Sequence, residues 1–389
     1  MNTGHPDKSP LWAEIDTAAL AANCRAAARL IPEETGFMAV VKADGYGHGA
    51  LPTARAALEN GATYLGVARP EEGIALRSFG IRVPILILCS APPEYAEQIL
   101  EHDLIQTVVD LESAEAMGNR ALALGGKMRV HLKADTGMGR LGTLAVPGES
   151  DEGSCRLQVL EEGQRIASQP GLQLEGVFTH LARADSSDLA YTRLQLQRFL
   201  DLTCGLQQRG VHVGLRHAAN SAATVQVPES HLDMVRPGLM LYGLNPLEDP
   251  LPHQVELEPV MSLKARVCQT KDVEAGFCVS YGSTYKTERS TRLAVLPVGY
   301  ADGYRRCLSP GAEVLIRGRR ARVAGRICMD QTVVDLGPDC GARAGEEAVL
   351  LGRQGKDQIP ASEIAGLCGT ITYEIVSGVA TRVPRIFLD

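Results

Sequence analysis

Gly36-Phe37-Met38-Ala39-Val40-Val41-Lys42-Ala43-Asp44-Gly45-Tyr46-Gly47-His48-Gly49-Ala50 is the stretch that decides the architecture. It runs apolar without alternation as far as Lys42 and then breaks into glycines. A strand covered on both faces reads this way, whereas a half-exposed strand alternates. The same kind of run returns at 64–68, 85–88, 106–109, 129–133, 174–179, 214–217 and 234–236. Between these runs lie Ala-, Leu- and Glu-rich segments, among them 51–60, 113–123, 157–168 and 189–207, which predict helices. Eight strands, each followed by a helical segment within about 210 residues, predict one (β/α)8 barrel. A doubly wound open sheet produces the same alternation, because alternation does not report closure.

Outward from the barrel the pattern changes. Residues 245–252 hold three prolines, which fix φ and remove donors, so they read as a linker. Beyond it, runs at 261–270, 293–298, 313–317, 322–324, 332–336 and 347–351 alternate with turns, and one helical stretch falls at 361–368. The expected division is a barrel over 17–245 and a mainly β domain over 246–389, the latter joined by a strand at 10–16. With 39 Lys+Arg against 46 Asp+Glu the net charge is −7, and no basic tract is present. That balance argues against nucleic acid or an anionic membrane as partner. The opening residues, Met1 to Pro10, carry no apolar signal segment, and no apolar run reaches the roughly 20 residues of a membrane span. Ten scattered cysteines without a CxxC pair read as free thiols of a cytoplasmic protein, and predict no metal site.

Lys42 ends the first apolar run, and in a parallel α/β fold the carboxyl ends of the strands form the active face. A lysine against apolar walls is placed to lose its proton and form a Schiff base with an aldehyde; a snorkelling strand-end lysine is the plainer alternative. Gly45-x-Gly47-x-x-Ala50 also matches a dinucleotide fingerprint. The second run, however, ends Ala68-Arg69-Pro70, without the acidic residue that would hold a ribose; an arginine there keeps a 2′-phosphate in view. Later strand ends are polar too: Lys133, Asp135 and Arg140 after the fifth, His180 after the sixth, His217 to Ser221 after the seventh, and Arg236 after the eighth. Each alone reads as an ordinary surface charge, core histidine or structural ion pair. Together on one rim they describe a site.

These motifs resemble those of the alanine racemases, almost end to end, from Leu11-Trp12-Ala13-Glu14-Ile15-Asp16 to Arg382-Val383-Pro384-Arg385. The matching segments include Val41 to Gly49, Lys133 to Gly142, His217 to Ala223, Val235 to Gly243, Ser280-Tyr281-Gly282, Leu296 to Gly303 and Ile327-Cys328-Met329-Asp330. The resemblance implies a barrel plus a C-terminal β domain and a pyridoxal 5′-phosphate-dependent isomerase. Its reaction would interconvert L- and D-alanine and supply D-alanine for the cell wall, with a serine or broad-specificity racemase on the same fold as the alternative.

It further implies that Lys42 carries the cofactor through a Schiff base and serves as one base, with Tyr281 as the base on the opposite face. Arg236 would face the pyridine nitrogen, with His180 behind it. Tyr46, Asn220, Ser221, Gly238 and Tyr373 would complete the cofactor contacts, Ser221 and Gly238 with the tyrosines at the phosphate. Arg140 and Met329 would hold the substrate carboxylate. Lys133, open to carbamylation, would support Arg140, with Tyr300, Cys328 and Asp330 as further supporting residues and the two tyrosines, Tyr300 and Tyr373, narrowing the entrance. The implied assembly is a homodimer in which Tyr281 and Met329 act in trans. Two departures from the family pattern stand out: Asp44-Gly45 where Asn-Ala is more common, and a lengthened loop at 143–154.

Overall fold

Every apolar run expected between Gly36 and Arg236 is a strand, and all eight are parallel neighbours. In the computed structural model, which describes residues 9–145 and 152–388, the order is Met234–Val235, Gly36–Val40, Tyr64–Val67, Ile85–Ile87, Ile105–Val108, Met128–Asp135, Leu172–Phe178 and Leu215–His217. The ring comes close to closing on itself. Its last strands meet through Asp233 N–H to the Arg216 carbonyl (3.1 Å) and Arg236 N–H to the Ala219 carbonyl (2.9 Å). Side chains reinforce this joint: Arg216 Nε lies 2.9 Å from Asp233 Oδ2, and Arg236 Nη2 donates to the Ala218 carbonyl. The chain therefore forms a nearly closed eight-stranded barrel, not an open doubly wound sheet. Part of its interior is packed by Met38, Leu86, Ile105 and Met234, all fully buried. Helices Ala50–Glu59, Leu111–Ala123, Glu152–Ala167 and Ala190–Gln208 occupy the Ala- and Leu-rich segments.

The N-terminal reading of Met1 to Pro10 and the lengthened loop at 143–154 fall largely on 1–8 and 146–151, outside the described residues. By internal contacts the chain divides into two units, one of residues 21–45 and 50–257, the other of 1–20, 46–49 and 258–389. The second unit is built on a ten-stranded sheet. Its path runs Gln269–Val273, Thr291–Leu296, Thr332–Gly337, Arg319–Val323, Glu313–Ile316, Glu347–Gln354, Met261–Arg266, Leu11–Asp16 and Arg385–Leu388. Leu11–Asp16 pairs antiparallel with Met261–Arg266 and parallel with Arg385–Leu388, so the chain's two ends share one sheet. The run expected at 261–270 is two strands. Met261, Leu263 and Ala265 are buried in strict alternation up to Arg266. There the backbone changes partner, Val267 N–H going to Glu346 and Cys268 N–H to Val295. Helix Ala361–Cys368 falls where a helical stretch was expected. No helix among the described residues is long and apolar enough to cross a membrane, and no cluster of His, Cys, Asp and Glu among them could hold a metal.

Candidate active site

The segment after the first barrel strand does not open a right-handed helix as a dinucleotide loop would. Ala43, Asp44, Gly45 and Tyr46 all take left-handed φ, between 52 and 61°. Left-handed backbone costs an L-residue roughly 1–2 kcal/mol, so the surroundings must hold it. Glu72 accepts from Ala43 N–H (2.7 Å) and from Ala68 N–H (2.6 Å), tying the turn to the end of the next strand. Asp44 Oδ1 accepts from Ala50 N–H (2.8 Å), at the start of the following helix. That donor, which a dinucleotide site would offer to a phosphate, is already taken.

This turn fixes Lys42 at the rim of the barrel unit. Burial pushes its ammonium below the usual lysine range; Cys89 and Glu72 oppose the shift and Arg140 adds to it. Lys133 is buried, and burial first, then the Arg140 and Arg236 guanidinium groups, bring it down to about 8. Its Nζ sits 5.2 Å from the centroid of the Phe178 ring. Arg236 is buried too, which lowers it to about 9 while leaving it protonated at neutral pH. Asp135 is the buried carboxylate here, and it is fully engaged. Oδ1 accepts from the N–H groups of Gly137, Met138 and Gly139, and Oδ2 from that of Arg140. Burial alone would raise its pKa; the four amides outweigh that and hold it below the ordinary carboxylate range.

Arg236 can only donate. Nη1 reaches His217 Nδ1 at 2.9 Å, and Nη2 reaches the Thr179 carbonyl at 2.7 Å and His180 Nδ1 at 3.4 Å. His217 is thus the nearer imidazole, ahead of His180. Because its Nδ1 accepts, its Nε2 carries the proton and donates to His131 Nδ1 at 2.8 Å. Burial, reinforced by Arg236, keeps both rings neutral, His131 down to about 3 and His217 well below the usual value. His180 is also held neutral, by burial and then by Arg236, Arg140, Lys133 and Lys42 together. Four basic side chains from three strand ends therefore act on one imidazole.

His217 opens one of the matching segments and His131 falls within the apolar run 129–133, but neither was given a role. The signal was there: His131, Lys133 and Asp135 alternate along one buried strand, so all three face one side. Glu72 gave no such signal, since its work is done through backbone amides. Ser221 Oγ accepts from Gly238 N–H (2.8 Å) and Met240 N–H (3.4 Å), so the Gly238 amide is engaged by that hydroxyl. Asn220 caps helix Ser221–Gln226 through Ala223 N–H.

The remaining residues belong to the second unit. Tyr46 is buried there with its ring 5.9 Å from that of Tyr373, and burial raises its phenol. Tyr281 is 71% exposed on a turn where Ser280 and Gly282 both have positive φ. Ser280 Oγ donates to the Arg326 carbonyl and lies 3.5 Å from Cys328 Sγ. Tyr300 N–H donates to the Cys328 carbonyl and Ala301 N–H to that of Met329. A Cβ on Gly299 would lie 2.2 Å from the Met329 carbonyl oxygen, so the two loops meet only because residue 299 is glycine. Asp330 pairs with Arg382 at 2.6 Å.

A barrel with a cationic rim, followed in sequence by a mainly β unit, defines a class of two-part α/β enzymes. Residues 15–246 match the family model of the alanine racemase N-terminal domain and residues 260–387 that of the C-terminal domain. The alanine racemase of Symbiobacterium thermophilum is 48% identical, aligned over 97% of each chain, and that of Desulfovibrio desulfuricans 46% identical over 98% of each. Among solved structures, alanine racemase from the D-cycloserine producer Streptomyces lavendulae superposes with a TM-score of 0.89 at 40% identity, covering 99% of this chain and 98% of its own. The Bacillus anthracis alanine racemase with bound L-Ala-P gives 0.88 at 38%, covering 99% and 96%. The chain belongs to the alanine racemase family.

Proposed function

We propose that this chain interconverts L- and D-alanine with pyridoxal 5′-phosphate, using Lys42 and Tyr281 as the two bases. The observation that carries the reading is the pair of buried cations at one rim, Lys133 Nζ 5.2 Å and Arg236 Cζ 5.3 Å from the centroid of the Phe178 ring. Arg236 Nη2 lies 3.4 Å from His180 Nδ1, and Lys42 and Arg140 act on the same imidazole. The nearby carboxylates, Asp135 and Glu72, are both spent on backbone amides, so the basic groups outnumber the acidic ones around them. A group with an aldehyde, a basic ring nitrogen and a phosphate dianion, together with a substrate carboxylate, fits that donor set. Lys42 would hold the aldehyde carbon, Arg236 the ring nitrogen, and Ser221, Tyr46, Tyr373 and Gly238 the phosphate, the Gly238 amide exchanging the neutral Ser221 hydroxyl for the anion, with Asn220 securing the turn beneath it. When bound, the cofactor supplies electron withdrawal that makes the substrate's α-C–H acidic.

The protein's own groups do the rest. Arg140 and the Met329 amide orient the substrate carboxylate. The lowered pKa of Lys42 leaves its amine ready to take the α-proton from one side, while the Tyr281 phenol delivers one from the other; in reverse the roles exchange. Arg236 keeps its proton and so leaves the ring nitrogen without one, which limits electron withdrawal and disfavours protonation anywhere but at the α-carbon. Lys133, near 8, is partly unprotonated at neutral pH, and only a neutral amine adds carbon dioxide. Its carbamate would give Arg140 an anionic neighbour, while Cys328 and Asp330, on either side of Met329 in sequence, support that residue's loop. Tyr300 and Tyr373 narrow the entrance toward a small side chain.

Tyr281 and Met329 come from a second copy in a homodimer, and the domains divide at 17–245 and 246–389. The product D-alanine feeds peptidoglycan assembly in the cytoplasm. Borohydride reduction of the cofactor-loaded protein should attach the label to Lys42, and D-alanine should form from L-alanine faster than D-serine or D-lysine from their enantiomers. A colourless protein that no added pyridoxal phosphate restores would overturn the reading, and faster serine turnover would favour the broad-specificity alternative.

A further inference from the structure

Two of the second unit's thiols face each other across 61 residues of chain. Cys307 Sγ lies 3.0 Å from Cys368 Sγ, Cys307 on the short turn Arg306–Leu308 and Cys368 at the end of helix Ala361–Cys368. Cys307 is exposed and Cys368 half-buried. The segments that bear them are already tied by a second contact, Arg305 Nη2 to Glu374 Oε1 at 2.8 Å. Tyr300 lies just before the first segment and Tyr373 just after the second. Elsewhere among the described residues the cysteines are scattered, and no other pair of sulfurs is in hydrogen-bond contact.

We propose that Cys307 and Cys368 are a reversible disulfide site, formed by exchange with a small-molecule disulfide of the glutathione class, that staples the segment after Tyr300 to the segment before Tyr373. The chemistry balances as two exchanges. The exposed Cys307, as thiolate, attacks one sulfur of the small disulfide, forming a mixed disulfide and expelling one thiolate. Cys368 then gives its proton to solvent and attacks the Cys307 sulfur, expelling the second small thiolate. Two protein thiols are oxidised, one small disulfide is reduced, and the protons released at the cysteines are taken up by the leaving thiolates. The sulfurs need only close to the roughly 2.05 Å of a disulfide bond. Burial, with the Cys307 contact adding to it, pushes the Cys368 thiol up to about 12, which leaves the exposed Cys307 as the thiol that attacks first. Closing so long a loop removes conformational freedom from the unfolded chain.

The test uses the full, cofactor-loaded protein titrated with oxidised glutathione. Peptide mapping should find a Cys307–Cys368 cross-link that dithiothreitol removes, the oxidised protein should unfold at higher temperature, and Cys307→Ser and Cys368→Ser should abolish both effects. If glutathione is found only as stable adducts on separate cysteines, or the link forms without a rise in the unfolding temperature, the proposal fails. Mapping on the unsubstituted protein decides the matter even if a serine variant folds poorly. One further arm rests on the racemase reading: oxidation should change KM for alanine at least two-fold while kcat moves less. An unchanged KM with the link in place would overturn the staple at the entrance, whereas absence of any turnover in the reduced protein would count against the racemase reading alone.

Discussion

At the scale of single residues, the proposed chemistry calls on two lysines whose protonation burial alters, Lys42 and Lys133. Tyr281→Phe removes one of the two proposed proton carriers and leaves Lys42 in place, so racemisation should fall by roughly 10²–10⁴-fold. The Schiff-base absorbance should survive, which a circular-dichroism assay of alanine together with a visible spectrum will check. Lys133 gives a test that does not depend on turnover. Its pKa drops from 10.5 to about 8 on folding. Between those values the unfolded chain binds a proton that the folded chain does not, so this group's contribution to stability rises with pH. Lys133→Met should therefore stabilise the cofactor-free protein, in buffer free of carbon dioxide, by about 3 kcal/mol below pH 8. The advantage should vanish as pH passes about 10.5, and urea midpoints measured across that range would show it. A difference that does not change with pH would mean that Lys133 titrates normally.

At the scale of elements, the turn after the first strand carries the greatest strain, and Glu72 restrains it. Glu72→Ala leaves the Ala43, Ala68 and Arg69 amides without their acceptor. It should cost about 2 kcal/mol, since hydrogen bonds to a charged group are the stronger kind, and it should lower the Lys42 pKa further by removing a nearby anion. Chemical denaturation and the pH dependence of borohydride labelling would measure the two effects separately. The strands were legible because continuous burial leaves continuous apolar runs: Gly36–Val40 and Tyr64–Val67 could be read directly. The handedness of the next turn was not, for the same glycines serve a dinucleotide loop. Nor was the partner change after Arg266, because Val267 is apolar and hides the break. The hairpin of Cys278–Val279 with Tyr285–Lys286, which flanks Tyr281, is too short to leave a periodic signal. Lys42, Lys133 and Arg236 were visible as polar endings to apolar runs. The His217–His131 contact required knowing that two strands distant in sequence are close in the ring.

At the scale of the whole molecule, the proposed site draws on both units and on two copies. Mixing Lys42→Ala and Tyr281→Phe chains before allowing exchange of subunits tests this. If Tyr281 acts in trans, half of the dimers are mixed and each contains one intact site, so about a quarter of the unsubstituted activity should return. If both bases come from one chain, the mixture stays as inactive as its components.

The joint between the last two barrel strands bears on which side chain position 236 can carry. Arg236 completes the ring by donating to the Thr179 and Ala218 carbonyls and to His217. A carboxylate at that position would meet three lone pairs with lone pairs of its own, and the last strand would keep only its backbone bonds and the Arg216–Asp233 pair. Exchanging this cation for an acid would therefore disturb the seal of the cylinder as well as the charge at its rim, so an Arg236→Glu chain should lose stability before any question of reaction outcome arises.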